Sequence, residues 1–503
     1  MENTNLVKRA SQQMSSAGQF NVVIVSPPNY QFSETFREIG ETVLYGLRGL
    51  GHAATICLND YDPRATNIIL GGSLLDEGRA REVPPQTIIY NFEQVHGSSP
   101  WIKPVYVDLI RRFRTWDYSE RNVRMWRRYC PFANVLHVPL GYVPEVSRIS
   151  PKHPQDIDVL FYGVINHRRA TIIDELKKAG LNVVAVFGKF GAQRDALIAR
   201  SKVVLNVHSY EAKIFELSRV SYLLANRKAV VSEIDDDTDV EPDICSAVAG
   251  VTYSGLVDKC VELVFDDVAR ARLADAGYRI FSQRSEQQFL AAALRAPDRA
   301  NTTVELPKRI NVGSGKAWDL ESLNLDSDPL WMPDLLADLN RALPSPDPVD
   351  LGRFGRQVVP EAYFDEIRAI HVLEHVSDLV TVMESFLRLL RVGGILSIEV
   401  PYELSYGAWQ DPTHVRAMNE RSWLYYTDWF WYLGWREHRF TLVELQYVLS
   451  EYGDELTASG TKPEQLNRIP RAIDVMRVKL QKITLSHEEK VRAMQRWTNP
   501  RLQ

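Results

Sequence analysis

The sequence predicts an α/β protein of three successive doubly wound units, and three observations carry that prediction. Short apolar runs of strand length alternate with amphipathic stretches of helical period along most of the chain, the pattern of parallel sheets covered by helices. Glycine turns stand directly after such runs at Gly163, Gly188 and Gly313-Ser314-Gly315, where backbone lacking a Cβ lets a ligand come close. A polar, turn-rich stretch beginning APDRANTT marks a linker over 296–308 and sets the third unit apart from the first two.

Composition bounds the rest. At 503 residues the chain exceeds one ordinary core, and 45% hydrophobic with 24% charged residues is a globular balance. A net charge of −5 argues against bulk nucleic-acid binding, so no nucleic-acid partner is expected. Cys57, Cys130, Cys245 and Cys260 lie far apart with no paired spacing and read as reduced core residues. The leader MENTNLVKRASQQMSSAG has no apolar segment, and no later run has the length and apolarity of a membrane span. A cytoplasmic protein is expected.

The first unit, 1–147, opens with a buried strand at 21–26. A helix over 35–50 follows, stopped by Gly49-Leu50-Gly51. Strands at 54–58, 67–72, 87–91 and 135–142 continue it. The second unit, 148–295, has strands at 157–163, 182–188, 203–208 and 229–233, then helices. In the third, 309–503, a strand stops at Gly313-Ser314-Gly315, a second closes on Asp326 and a third on Asp338. A buried strand at 369–376 and a Gly393-Gly394 turn into a strand ending at Pro401 complete the core.

Several clusters carry chemistry. Gly163 followed by Asn166-His167-Arg168-Arg169 places a glycine turn and two guanidinium groups at a helix start, a fit for a diphosphate or a solvated helix end. Gly188-Lys189 repeats the theme. The stretch 111–128 interleaves arginines with Phe113, Trp116 and Trp126. It reads as a surface helix with its aromatics inward, or as a face for an anionic acceptor or peripheral membrane contact. The acidic loop 235–239 reads as solvated, and no metal site is expected. Trp409, Trp423, Tyr425, Tyr426, Trp429, Phe430, Trp431, Tyr432 and Trp435 crowd one region, either stacking on sugar rings or packing over the sheet.

Residues 309–401, with the glycine turn, the two strand-ending acids and the Gly-Gly turn in order, resemble a class I S-adenosylmethionine-dependent methyltransferase. The resemblance implies a Rossmann-like fold and S-adenosylmethionine as cofactor. Gly313, Ser314 and Gly315 would hold its methionine part, Asp326 its ribose and Asp338 its adenine, with His371 in the same site. The sequence departs from many relatives in one respect: only a short loop separates the glycine turn from the second strand. His414, in Asp411-Pro412-Thr413-His414, falls where the family places its substrate, and histidine has the right pKa to take a hydroxyl proton. Asp411 would orient it, and His375 is the competing base.

The tandem units over 1–295 resemble a group-1-like glycosyltransferase of GT-B architecture, chiefly in 206–219 (NVHSYEAKIFELSR) and the strand after it. The resemblance implies an acceptor-binding first unit, with Glu93 facing the cleft, and a second unit holding a nucleotide-sugar as co-substrate. Its donor-binding residues would be Gly163, Arg168, Arg169, Lys189, His208, Glu211, Glu216 and Arg219. The family's second glutamate position falls near Ser221 or Tyr222, not on a carboxylate. Two enzymes fused in one chain are thus expected: sugar transfer to a glycan or glycolipid acceptor, and O-methylation of a sugar hydroxyl. The rival is a methyltransferase whose degenerate first half only binds a glycan or partner.

Overall fold

The computed structural model describes residues 18–150, 154–209, 213–298, 304–341, 343 and 347–498. The chain divides into two compact units, Met1–Asn301 and Thr302–Gln503. Unit one holds two sheets. The first comprises β1 (Gln19–Ile24), β2 (Ala53–Leu58), β3 (Thr66–Leu70), β4 (Thr87–Asn91), β5 (Arg114–Asp117) and β6 (Val135–His137), all parallel in the order β2-β1-β3-β4-β5-β6. The second comprises β7 (Ile157–Tyr162), β8 (Val183–Val186), β9 (Ser201–Asn206), β10 (Ala229–Glu233) and β11 (Ala249–Val251), parallel in the order β11-β10-β9-β7-β8.

Val22, Val23 and Ile24 are fully buried, because a parallel strand covered by helices has no wet face. The helix Arg37–Gly49 buries Ile39, Val43 and Leu47 on one stripe. Strand order reverses beside β1 and beside β7, and at such switch points an α/β sheet opens a crevice at its strand ends.

Two sequence expectations are corrected here. The stretch 111–128 is not one helix: the helix Pro104–Arg112 ends, β5 enters the sheet, and the helix Glu120–Tyr129 follows. Trp116 and Trp126 are fully buried, Arg111 and Arg112 pair with Asp108, and Arg124 pairs with Glu120. The aromatic side chains of the stretch therefore face the core, while Arg124, Arg127 and Arg128 stay at the surface. A four-residue strand flanked by arginines on both sides hides within a longer amphipathic pattern. The helix Glu286–Arg295, grouped by sequence with the second unit, packs instead on the first sheet's helix: a Cβ at Gly46 would meet Glu286 and Leu290 side chains at 2.7 Å. Glu286 also accepts from the Gly141 N–H (2.6 Å).

Unit two has one seven-stranded sheet. Its strands are β12 (Arg309–Val312), β13 (Leu323–Asp326), β14 (Leu335–Leu336), β17 (Phe364–Ile370), β18 (Leu390–Pro401), β19 (His438–Leu449) and β20 (Ile473–Thr484). A small hairpin, β15 (Val349–Asp350) with β16 (Arg356–Gln357), lies outside it. The order is β14-β13-β12-β17-β18-β20-β19, with β20 antiparallel to both neighbours and the rest parallel. The protein thus carries three Rossmann-like α/β sheets, the fold class the sequence predicts.

The strand expected at 369–376 is β17, which begins earlier and leaves the sheet at His371, whose φ is +53°. Phe364, Ile367 and Ala369 face inward between polar residues, so its first half lacks the continuous apolar run that marks a strand in sequence. The crossover from β12 to β13 carries only the short 3-10 turn Gly315–Ala317, where parallel connections ordinarily need a helix. Its place is held by Arg353, which bonds Leu320 O (2.6 Å), pairs with the buried Asp334 (2.9 Å) and lies over the Trp318 ring at 5.0 Å. Among the described residues, no helix is long and apolar enough to cross a membrane.

Candidate functional site

In unit one, a cavity of about 550 Å³ lies at the two switch points, within the size range of small-molecule sites. Gly163, directly after β7, has φ +141°, and a Cβ there would stand 2.7 Å from Arg219 Nη2. Gly188, after β8, has φ +69° and leads to the exposed Lys189. Glu216 immediately precedes the helix Leu217–Ala225 and accepts from Arg169 (2.5 Å) and Arg219 (2.9 Å). Burial pushes its pKa up, but the two guanidinium groups outweigh that and hold it below the usual carboxylate value. From the first sheet, Glu93 accepts from Ser73 Oγ (2.9 Å), and burial raises its pKa.

Of the residues singled out by sequence, Gly163, Arg169, Lys189, Glu216, Arg219 and Glu93 line this one cavity. Arg168 and His208 do not. Arg168 is bidentate on the buried Glu233 and lies 4.0 Å over the Tyr253 ring, because successive positions on a helix project their side chains about 100° apart. His208 is 2% exposed, both ring nitrogens lack partners, and burial lowers its pKa; it packs as a neutral core residue. Glu211 lies outside the described residues.

Sequence reasoning missed Arg194, which lines the cavity and pairs with Glu38 of the helix Arg37–Gly49 at 2.7 and 3.1 Å. Its signal was a basic residue one turn into the helix opened by Gly191, as Arg169 follows Gly163. Also missed was the aromatic wall, where Phe32 stacks on Phe187 (4.8 Å, 26°) with Phe190 edge-on at 6.2 Å. At the expected second-glutamate position stands Tyr222, whose hydroxyl donates to Asp195 Oδ2 (2.9 Å) and accepts from Arg148 Nε (3.0 Å).

In unit two, Gly313 ends β12 with φ +59°, and a Cβ would lie 2.3 Å from Val372 Cγ2. Gly315 faces open space, and its N–H donates to Asp326 Oδ2 (2.9 Å). Asp326 Oδ1 accepts from Asp328 N–H (3.0 Å), so the acid is held rigidly at the strand end. Ser314 Oγ is buried without a partner. An orphaned hydroxyl beside an open glycine turn and an aligned carboxylate fits the polar end and ribose of a nucleoside cofactor. The third strand, β14, ends at Leu336 rather than on Asp338, which stands exposed two residues beyond it and accepts from Asn340 N–H (3.0 Å). His371 lies 3.5 Å from Glu374 and 3.2 Å from Glu399, and the two acids raise its pKa, Glu374 most.

Beyond β18, His414 and His375 meet edge to face at 4.6 Å. Thr413 Oγ1 lies 2.9 Å from His375 Nδ1 and donates to Asp411 Oδ1 (2.7 Å), which lowers the Asp411 pKa. The fold thus brings together all three residues the sequence proposed for proton transfer. It also adds Glu374, making a cluster with ligand atoms within 4.8 Å of one another, where the sequence predicts no metal site. The aromatic region divides: Trp423, Tyr426, Phe430, Trp431 and Trp435 pack over the sheet, while Trp409, Tyr425, Trp429 and Tyr432 stand exposed.

No family model matches the chain. Among curated proteins it is similar to the uncharacterized protein L140 of Acanthamoeba polyphaga mimivirus, 29% identical over 173 residues, or 32% of this chain and 55% of that protein. The chain thus spans about half the length of that relative. Among solved structures it is similar to a glycosyltransferase from Rickettsia africae (8% identity, 56% of this chain and 100% of that one, TM-score 0.38). It is also similar to a SAM dependent methyltransferase from Archaeoglobus fulgidus (16% identity, 35% and 86%, TM-score 0.23). These likenesses are partial, and the fold stands on the strand orders above.

Proposed function

We propose that the chain is a two-site transferase: unit one moves a sugar from a nucleotide-sugar to a glycan-type acceptor, and unit two O-methylates a sugar hydroxyl with S-adenosylmethionine. The observation that carries this reading is one geometry occurring twice. A glycine at positive φ closes the first strand of a sheet at its switch point, between parallel neighbours, Gly163 against Arg219 and Gly313 beside Asp326. Such turns let backbone N–H groups and nearby charges meet a nucleotide's phosphate or ribose.

In unit one, Lys189 and Arg219 lie against the donor's diphosphate, and Arg169 orients Glu216 toward the sugar. The bond between sugar and phosphate breaks, the acceptor oxygen takes the sugar, and the nucleoside diphosphate leaves. Glu93, whose burial raises its proton affinity, receives the acceptor's proton. In unit two, bound S-adenosylmethionine supplies an electrophilic methyl group. Asp326 holds the ribose and the glycine turn accommodates the methionine part. His414 has its Nδ1 3.1 Å from Ala408 O. That carbonyl can only accept, so Nε2 is left as the lone pair that takes the hydroxyl proton.

One observation favours a second reading of unit one, as a glycan- or partner-binding module. Arg169 and Arg194 are already paired with Glu216 and Glu38, and Tyr222 stands where a second carboxylate would help hold the donor. A nucleotide-sugar panel separates the two: sugar release or transfer supports the transferase, and binding without turnover supports the module. Absence of S-adenosylmethionine binding by calorimetry overturns the methyltransferase half.

A further inference from the structure

We propose that Glu374, His375 and His414 bind a divalent transition-metal cation of the nitrogen-preferring kind, with zinc as its type. One ligand atom from each lies within 4.8 Å of the others. An ion bonded at 2.0–2.2 Å holds ligands about 3.3 Å apart in a tetrahedron, so modest side-chain rotation closes the set. The two segments that supply them are already tied together. Val415 N–H donates to Glu374 O (2.9 Å), and Arg416 Nη2 donates to Val376 O (2.8 Å) and Ser377 O (2.7 Å).

The ring hydrogens are arranged as ligating imidazoles require. His414 Nδ1 donates to the Ala408 carbonyl at 3.1 Å. His375 Nδ1 faces Thr413 Oγ1 at 2.9 Å, and that hydroxyl gives its own hydrogen to Asp411 Oδ1 at 2.7 Å. Both rings therefore carry hydrogen on Nδ1 and a lone pair on Nε2, each fixed by an outer acceptor, as metal-bound histidines are. Glu374 is an independent sign. It is 2% exposed, and its Oε2 is buried with no partner. A buried carboxylate oxygen left unpaired is costly, and a cation would offset that cost. Two imidazoles and one carboxylate, with the remaining positions open, suit zinc and its neighbours better than magnesium or calcium.

Binding of the cation does not depend on the methyltransferase reading; its role does. Under that reading the cation holds the acceptor's oxygen in one of its open positions. His414 is then a ligand, and it serves as base only when the site is empty.

The full chain, stripped with chelator, is titrated with zinc chloride by calorimetry and with cobalt chloride by visible absorbance. One saturable site per chain, with a cobalt band of few-coordinate geometry, is expected. His375→Ala and His414→Ala should each weaken zinc binding at least ~10-fold, and Thr413→Val, which frees the His375 ring, by about 10-fold. No saturable binding overturns the proposal, as does a cobalt band unchanged in the double histidine variant. Because His375 is exposed, these variants keep the test open if Glu374→Gln fails to fold. S-adenosylmethionine titration of the same samples separates the two ideas: zinc bound without the cofactor overturns the methyltransferase reading and leaves the cation site standing.

Discussion

Arg219 Nη2 lies 2.7 Å from the point where a β-carbon on Gly163 would stand. The guanidinium therefore occupies space that any other residue at the end of β7 would take. Gly163→Ala meets two penalties, a φ of +141° that L-residues rarely adopt and the displaced arginine. Nucleoside diphosphate binding should fall at least ~10-fold in Gly163→Ala and similarly in Arg219→Ala, about 1.4 kcal/mol. Calorimetry checks this, and S-adenosylmethionine binding should be unchanged in both.

Arg168→Ala should behave differently from Arg219→Ala. It leaves nucleotide affinity intact, because Arg168 is outside the cavity, but strands Glu233 in the core. Arg168 is itself 37% exposed and Glu233 keeps the His208 N–H at 3.1 Å, so the cost is about 1–3 kcal/mol. A lower melting temperature with unchanged nucleotide affinity is the expected result; weakened nucleotide binding in the folded variant would return Arg168 to the site.

Asp326→Ala removes the acid that receives the Gly315 and Asp328 N–H groups. Together with the lost ribose contacts, the affinity for S-adenosylmethionine should drop by ~2 kcal/mol or more. Unchanged affinity would show that another side chain holds the ribose.

His414→Ala, assayed in chelator so that the cation site is empty, should slow single-turnover methyl transfer by ~10²–10⁴. Cofactor affinity should persist. His375→Ala should cost less, since its Nδ1 is engaged through Thr413 with Asp411; a larger loss there would move the base to His375.

Glu286 gives unit one a pH dependence. Burial raises its pKa from 4.5 to about 7, opposed by the Gly141 N–H, so the folded state keeps a proton that the unfolded chain releases. Its contribution is full below about pH 4.5 and lost as pH rises through about 7, on the order of 3 kcal/mol. The buried Asp117, also raised to about 7, acts in the same sense. Glu286→Gln keeps an acceptor for Gly141 without titrating. It should melt higher than the parent at pH 8 and lose part of the parent's decline between pH 5 and 8; parallel melting curves would exclude this role.

Local pattern made much of the architecture readable before any coordinates. Apolar runs such as Val22-Val23-Ile24 and the glycines at 163, 188 and 313 announce their strands and turns, because burial and positive φ each admit few residue types. The short β5 between arginines and the half-polar β17 were not readable, since neither has an unbroken apolar run. Single-residue roles were harder still. Adjacent arginines at 168 and 169 are chemically alike, yet the helix sends one to Glu233 and the other to Glu216 and the cavity.

The amino-acid sequence was sufficient for the three α/β units and for the glycine turns with their acids, because these follow from periodicity and backbone sterics acting over a few residues. Which charges meet was settled only by folding. Arg194 with Glu38, and His414 with Glu374 and His375, are joined from distant segments. Their pairing depends on which strand ends the chain crossovers bring side by side, and no local pattern encodes that distance.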